Sequence, residues 1–194
     1  MSFKSNQQDN LVLDARTSRR RFLQLGLGTT ASLAMPSAFA NILAQPERKL
    51  ALLNLHTGER INATYWAEGD YQTSELHAIS RVLRDHRTGD TLDMDNNLID
   101  LLNILHHKMN GKQAFHVISG YRSPKTNAKL SYKSSGVAKK SLHMQGKAID
   151  IRLPGRELSA LRSTALKLQT GGVGYYPKSD FIHIDTGRVR QWAG

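Results

Sequence analysis

Two short stretches of this 194-residue chain must meet in space for their residues to make chemical sense. One is Ser141-Leu142-His143-Met144-Gln145-Gly146-Lys147-Ala148-Ile149-Asp150; the other is Asp180-Phe181-Ile182-His183-Ile184-Asp185. Two histidines and an aspartate form a three-ligand set, which leaves one position open on a zinc ion. Open zinc sites activate water, whereas closed four-ligand sites brace a fold. Gly146 permits a tight turn, so His143 can fold back toward a strand carrying Asp150. His183 and Asp185 share one strand face, because side chains alternate with a period of two. The fold must therefore place two neighbouring strands and a loop around one ion. His143, Asp150 and His183 are the expected metal ligands, and the chain has no cysteine for a structural thiolate site. Asp185 is expected to orient a histidine, and Ser141 to hydrogen-bond near the ligands.

The N-terminus carries a second message. Ser18-Arg19-Arg20-Arg21-Phe22-Leu23-Gln24 is followed by a mildly apolar run, Leu25 to Met35, and then by Ala38-Phe39-Ala40. Basic region, apolar run and small-x-small cleavage pattern come in the order of a twin-arginine export signal. Residues 1–40 are read as that signal, 41–48 as a linker and 49–194 as the working domain. The expected destination is the periplasm, with no stable membrane span after cleavage. The alternative is an inner-membrane anchor, since no charge appears from Phe22 to Pro46.

Net charge is +11, and removing the five basic and two acidic residues of 1–40 leaves +8 on the rest. Such a charge attracts acidic partners in general. No basic run interleaved with aromatics suggests a nucleic-acid groove, so no nucleic-acid partner is expected.

Periodicity predicts strands over 49–55 and 60–66 joined by a hairpin at His56-Thr57-Gly58-Glu59. A helix capped by Thr73 buries Leu76, Ile79 and Leu83. A stronger one, capped by Asp95, carries the stripe Leu98, Leu101, Leu102, Leu105 and Met109, and Asn110-Gly111 ends it. Ala114 to Ser119 reads as a strand, Pro124 to Tyr132 as a short helix, and Lys133 to Leu142 as a polar loop over the site. A strand over 147–153, a helix from Leu158 to Leu168 ended by Gly171-Gly172, and strands over 173–176 and 181–186 complete the chain. No regular βαβ rhythm appears, which favours an α+β fold with a central antiparallel sheet flanked by helices. Of the other histidines, His106 and His107 point to different sides of a helix. His77 and His86 are read as solvated on another helix, and His116 as a packed strand residue. Trp192 and Tyr175 are candidates to line a groove, against the commoner place of an aromatic near a sheet, which is the core.

The Ser-x-His-x-x-Gly-x-Ala-x-Asp and Asp-x-x-His patterns resemble those of the zinc D-Ala-D-Ala metallopeptidase family of bacterial cell-wall enzymes. The hairpin from Asn54 to Glu59, Ser119-Gly120-Tyr121-Arg122-Ser123, Gly136 to Ser141 and Gly171 to Pro177 extend the resemblance to its murein endopeptidase K branch, over roughly residues 49–192. The resemblance implies a single domain of D-Ala-D-Ala metallopeptidase/hedgehog-like fold. It also implies one Zn2+ held by His143, Asp150 and His183, and cleavage of amide bonds in peptidoglycan cross-links. It places Asp180 as general base and Arg122 against a substrate carboxylate or the developing oxyanion, with Tyr121 beside them. The alternatives are a D-amino-acid carboxypeptidase on the same scaffold and a murein-binding module without turnover.

Overall fold

The computed structural model describes residues 41–134 and 136–194. The export signal and cleavage site expected within residues 1–40 lie outside the described residues. Strand β1 (Arg48–Asn54) and strand β2 (Arg60–Ala67) form the expected antiparallel hairpin, and β3 (Asp70–Tyr71) adds a two-residue edge to β2. Helix α1 (Thr73–Val82) and helix α2 (Asn96–Lys108) follow. Then come β4 (Phe115–Ser119), helix α3 (Pro124–Lys133), a 3-10 turn at Leu142–Gln145, and β5 (Ala148–Arg152). Helix α4 (Leu158–Leu168), β6 (Gly172–Tyr176), a 3-10 turn at Pro177–Ser179, β7 (Phe181–Asp185) and β8 (Arg190–Ala193) close the chain.

The strands make one sheet in the order β3-β2-β1-β4-β5-β7-β6-β8. It is mostly antiparallel, as expected of an α+β fold, but β1 runs parallel to β4 and β8 parallel to β6. Helices α1 and α2 separate β1 from β4 in sequence, and β7 separates β6 from β8, whereas hairpin neighbours pair antiparallel. Alternation decides which face does what. Phe115, Val117, Ile149, Ile151, Ile182 and Ile184 point one way and are buried against Leu98, Ile99, Leu102 and Leu105 of α2 and Leu161 of α4. Each such side chain contributes on the order of 1.5–3 kcal/mol by leaving water. Asp150 and His183 alternate with these residues and lie on the other face, which leaves that face free for chemistry.

Several local readings shift. Thr73 is the first helical residue rather than the cap: Gln72 stands at the cap position, and its side chain donates to the Ala67 carbonyl instead. Asp95 caps α2 as expected, accepting from the Asn97 amide at 2.9 Å. Helix α4 ends on Gln169 in the left-handed region, φ 51°, two residues before the glycine pair. The stretch 41–48 is not a free tether. Ile42 and Leu43 pack against the core, and buried Arg48 opens β1, 2.5 Å from Asp100 and stacked 3.8 Å over Trp66. Among the described residues no helix is long and apolar enough to cross a membrane.

Candidate metal centre

The register of β5 against β7 puts Asp150 directly opposite His183. His143 arrives from the 3-10 turn before β5. Ser141 caps that turn, and Gly146 ends it in the left-handed region at φ 67°. The turn is pinned from outside, since the Asp95 amide donates to the Gly146 carbonyl at 3.0 Å. A side chain at 146 would also collide there, because a Cβ would sit 2.6 Å from the Asp93 carbonyl oxygen. The sequence motif is thus a fold-back whose ends are His143 and Asp150.

Three donor atoms converge. His143 Nε2 lies 3.2 Å from His183 Nδ1 and 3.3 Å from Asp150 Oδ1, and the last two are 2.9 Å apart. Bonds of about 2.0–2.1 Å to a tetrahedral ion would set such atoms about 3.3–3.4 Å apart. The outer ring nitrogens fix the tautomers. His143 Nδ1 meets the Gly120 carbonyl oxygen at 2.7 Å and must donate to it. His183 Nε2 donates to Asp185 Oδ2 at 3.0 Å. Both inner nitrogens then present lone pairs to each other beside a carboxylate oxygen, an arrangement that calls for a cation between them. The cluster is buried, with His143 2% exposed. Burial works against the charge of Asp150, but His143 and His183 outweigh it and hold its carboxyl well below the usual range. Burial disfavours a charged His183, but Asp150 and Asp185 overcome this and, with no metal between the rings, hold it above the ordinary imidazole value, so a bound metal would take the place of a proton on Nδ1. The donor set therefore fits a divalent metal with nitrogen and oxygen preference.

A cavity of about 440 Å³ opens over these atoms, walled by Arg122, Lys140, Tyr176, Phe181, Arg190 and Trp192. Arg122 is under-bonded for a buried guanidinium. Its Nε has no partner, and its two terminal nitrogens make only 3.4 Å bonds to Asn127 and Ser119. Nη2 lies 3.7 Å from Asp150 Oδ2. Burial presses its pKa below the ordinary value against the pull of Asp150, and it stays cationic near neutrality. Such a group has donors to spare for an anion.

The remaining expected site residues fall in different places. Ser141 is buried at the turn and lines the cavity. Asp185 is fully buried and its Oδ2 lies 3.0 Å from His183 Nε2. Asp180, φ 53°, sits in the turn before β7. Its carboxylate bonds Arg152 at 2.6 Å and does not line the cavity. Tyr121 packs against the core rather than over the ligands. Trp192 lines the cavity, but Tyr175 packs toward the core, and its neighbour Tyr176 is the tyrosine facing the site. His86 is not on a helix: it follows α1 and stacks on His56 at 3.8 Å.

Two residues that matter carried no clear sequence signal. Asp85, buried in the loop after α1, accepts from the Ser123 amide at 2.9 Å and so holds the start of α3, next to Arg122. Arg190, on β8, grips Asp185. An aspartate and an arginine in polar loops read as surface residues unless the tertiary partner is known.

Comparison with known proteins adds an independent line. A family described as "Peptidoglycan L,D-endopeptidase MepK" matches residues 43–192. The peptidoglycan L,D-endopeptidase MepK of Escherichia coli strain K12 is 42% identical over 176 residues, covering 90% of this chain and 97% of the relative. The probable peptidoglycan L,D-endopeptidase MepK of Haemophilus influenzae is 38% identical over 179 residues, covering 91% and 96%.

Proposed function

The chain belongs to the peptidoglycan L,D-endopeptidase MepK family, and from that premise we propose that it is an exported zinc endopeptidase acting on the peptide cross-links of murein. The observation that carries the reading is the convergence of His143 Nε2, Asp150 Oδ1 and His183 Nδ1 at the floor of an open cavity. Two imidazoles and a carboxylate without thiolate favour zinc. When bound, zinc supplies a Lewis acid that lowers the pKa of water and polarises an amide carbonyl.

The chain's own residues do the rest. Arg122 offers unused donors at the cavity wall to a substrate carboxylate or to the oxygen that gains charge during attack. Asp180, three residues before His183, is assigned the proton transfer from water to the leaving amine, which requires its Arg152 pair to open. Asp185 keeps His183 Nδ1 turned inward. Trp192, Tyr176 and Phe181 give the cavity an apolar wall for the peptide. The relatives are named for an L,D bond, and the same bond class is assigned here. Residues 1–40 are assigned as a twin-arginine signal, 41–194 as the mature chain, and the periplasm as its place of work.

Digestion of purified cross-linked murein by residues 41–194, with and without a chelator and read by mass spectrometry, tests this. Chelator-sensitive loss of dimeric muropeptides supports the endopeptidase, and the product masses name the bond. Monomers shortened by one D-amino acid point to a carboxypeptidase. Binding without cleavage points to a non-catalytic module.

A further inference from the structure

We propose that Arg190, on the C-terminal strand, is a positioning residue for the metal centre: through Asp185 it holds the His183 ring with Nδ1 aimed at His143 and Asp150. The inference rests on the metal-centre reading above and extends it to a strand that carries no ligand.

An imidazole ligand needs its edge and its face held. The edge is held by Asp185, whose carboxylate has no freedom left. Its Oδ1 accepts from the Gly172 amide at 3.0 Å, the Gly187 amide at 2.9 Å and Arg190 Nη1 at 3.1 Å. Its Oδ2 accepts from His183 Nε2 at 3.0 Å and Arg190 Nη2 at 2.7 Å. Arg190 therefore binds both oxygens with a planar fork, which a lysine does not reproduce. The face is covered by Trp192, with ring centroids 5.2 Å apart, and the Trp192 Nε1–H donates to the Tyr176 hydroxyl at 2.8 Å.

Both side chains reach the site through notches in β6. The parallel register pairs Gly172 with Arg190 and Gly174 with Trp192. A Cβ at 172 would lie 2.5 Å from Arg190 Nη1 and from Asp185 Oδ2, and one at 174 would lie 2.7 Å from the indole. Glycines at these two in-register positions leave the space that β8 fills. Without the fork, a fully buried carboxylate loses its guanidinium partner and is free to turn away from His183.

The test measures zinc affinity by competition with a chromogenic chelator in wild type, Arg190→Gln and Arg190→Lys. Thermal unfolding of the chelated proteins and 15N chemical shifts of the His183 ring are read alongside. The expected result is zinc affinity weakened about 10–100-fold in Arg190→Gln and partly restored in Arg190→Lys. Read at a pH high enough to leave the ring neutral, the His183 signals of the chelated Gln variant should show mixed tautomers where wild type shows one. Zinc affinity within about twofold of wild type in both variants, whatever their unfolding temperatures, overturns the proposal and leaves Arg190 a staple for β8. If Arg190→Gln does not fold, the lysine variant decides alone, since it keeps the charge and loses the fork. A folded wild-type protein that binds no zinc instead removes the metal centre itself, and this assignment falls with it.

Discussion

Asp180 stands three residues before His183, yet its carboxylate is held by Arg152 at 2.6 Å and is 61% exposed. An exposed pair of this kind is worth at most about 1 kcal/mol. Positioned proton transfer is worth on the order of 10²–10⁴ in rate, so the pair is a small obstacle to the proposed role. Asp180→Asn is therefore expected to cut murein cleavage by about 10² or more while zinc affinity stays unchanged. Turnover near wild type in a zinc-loaded Asn variant removes Asp180 as the base. His183→Ala is expected to lose both zinc and activity, checked by metal analysis and by the same digestion. At this scale the sequence was most legible where a residue's role depends on near neighbours. That His143, Asp150 and His183 converge could be read from a glycine turn and strand parity. Of the readings open to Tyr175, groove or core, the core one holds: Gly174 pairs with His183, so Tyr176, two residues on, shares its face and Tyr175 does not. Asp85 acts through Ser123, distant in sequence, and Arg190 reaches Asp185 only because β8 pairs with β6, which no apolar pattern announces.

Strands and helices with a clear apolar period were found close to their true bounds, since burying a stripe or a face is what fixes them. β8 carries no periodic signal, since Arg-Gln-Trp-Ala has no apolar alternation, and its reason for pairing lies in β6 and in Asp185. The element most exposed to a single substitution is the 3-10 turn carrying His143. Gly146 combines a left-handed backbone with a Cβ clash against a main-chain oxygen that cannot rotate away. Gly146→Ala is expected to destabilise the protein by about 1–2 kcal/mol or more from the backbone alone. The required shift moves His143 off its 3.2 Å approach to His183, so zinc affinity should fall as well. Unfolding and chelator competition on one sample check both. A variant with unchanged zinc affinity would mean that the Asp95 bond to this turn, and not the glycine, fixes the ligand.

The whole molecule divides its labour across the sheet, with a helix-covered apolar face for stability and a polar face for the metal. A third feature joins the two: the loop after α1, tied to the start of α3 by Asp85. Burial disfavours the charged form of this carboxylate. Hydrogen bonds from Thr126, Ser123 and the Arg87 amide outweigh burial and hold its pKa far below the ordinary carboxylate range. The sign follows from that direction. A carboxyl depressed in the folded protein contributes stability above its unfolded pKa, about 3.9, and loses that contribution as pH falls from there toward the folded value. Asparagine at 85 keeps one acceptor oxygen for two amides, now bonded at 2.9 Å each, and leaves one of them unsatisfied. Asp85→Asn should thus cost about 1–3 kcal/mol near pH 7. The difference from wild type should stay constant down to about pH 4 and shrink below it, as the wild-type carboxyl begins to lose its advantage. Thermal unfolding of both proteins in chelator from pH 7 to 3 reads this directly. Asp150 and Asp185 titrate in both proteins and cancel in the difference. A gap that stays constant to pH 3 would assign the loss to shape rather than charge. The loop would then hold Arg122 by packing alone, and Asp85→Asn would leave murein cleavage unchanged at every pH where the protein stays folded.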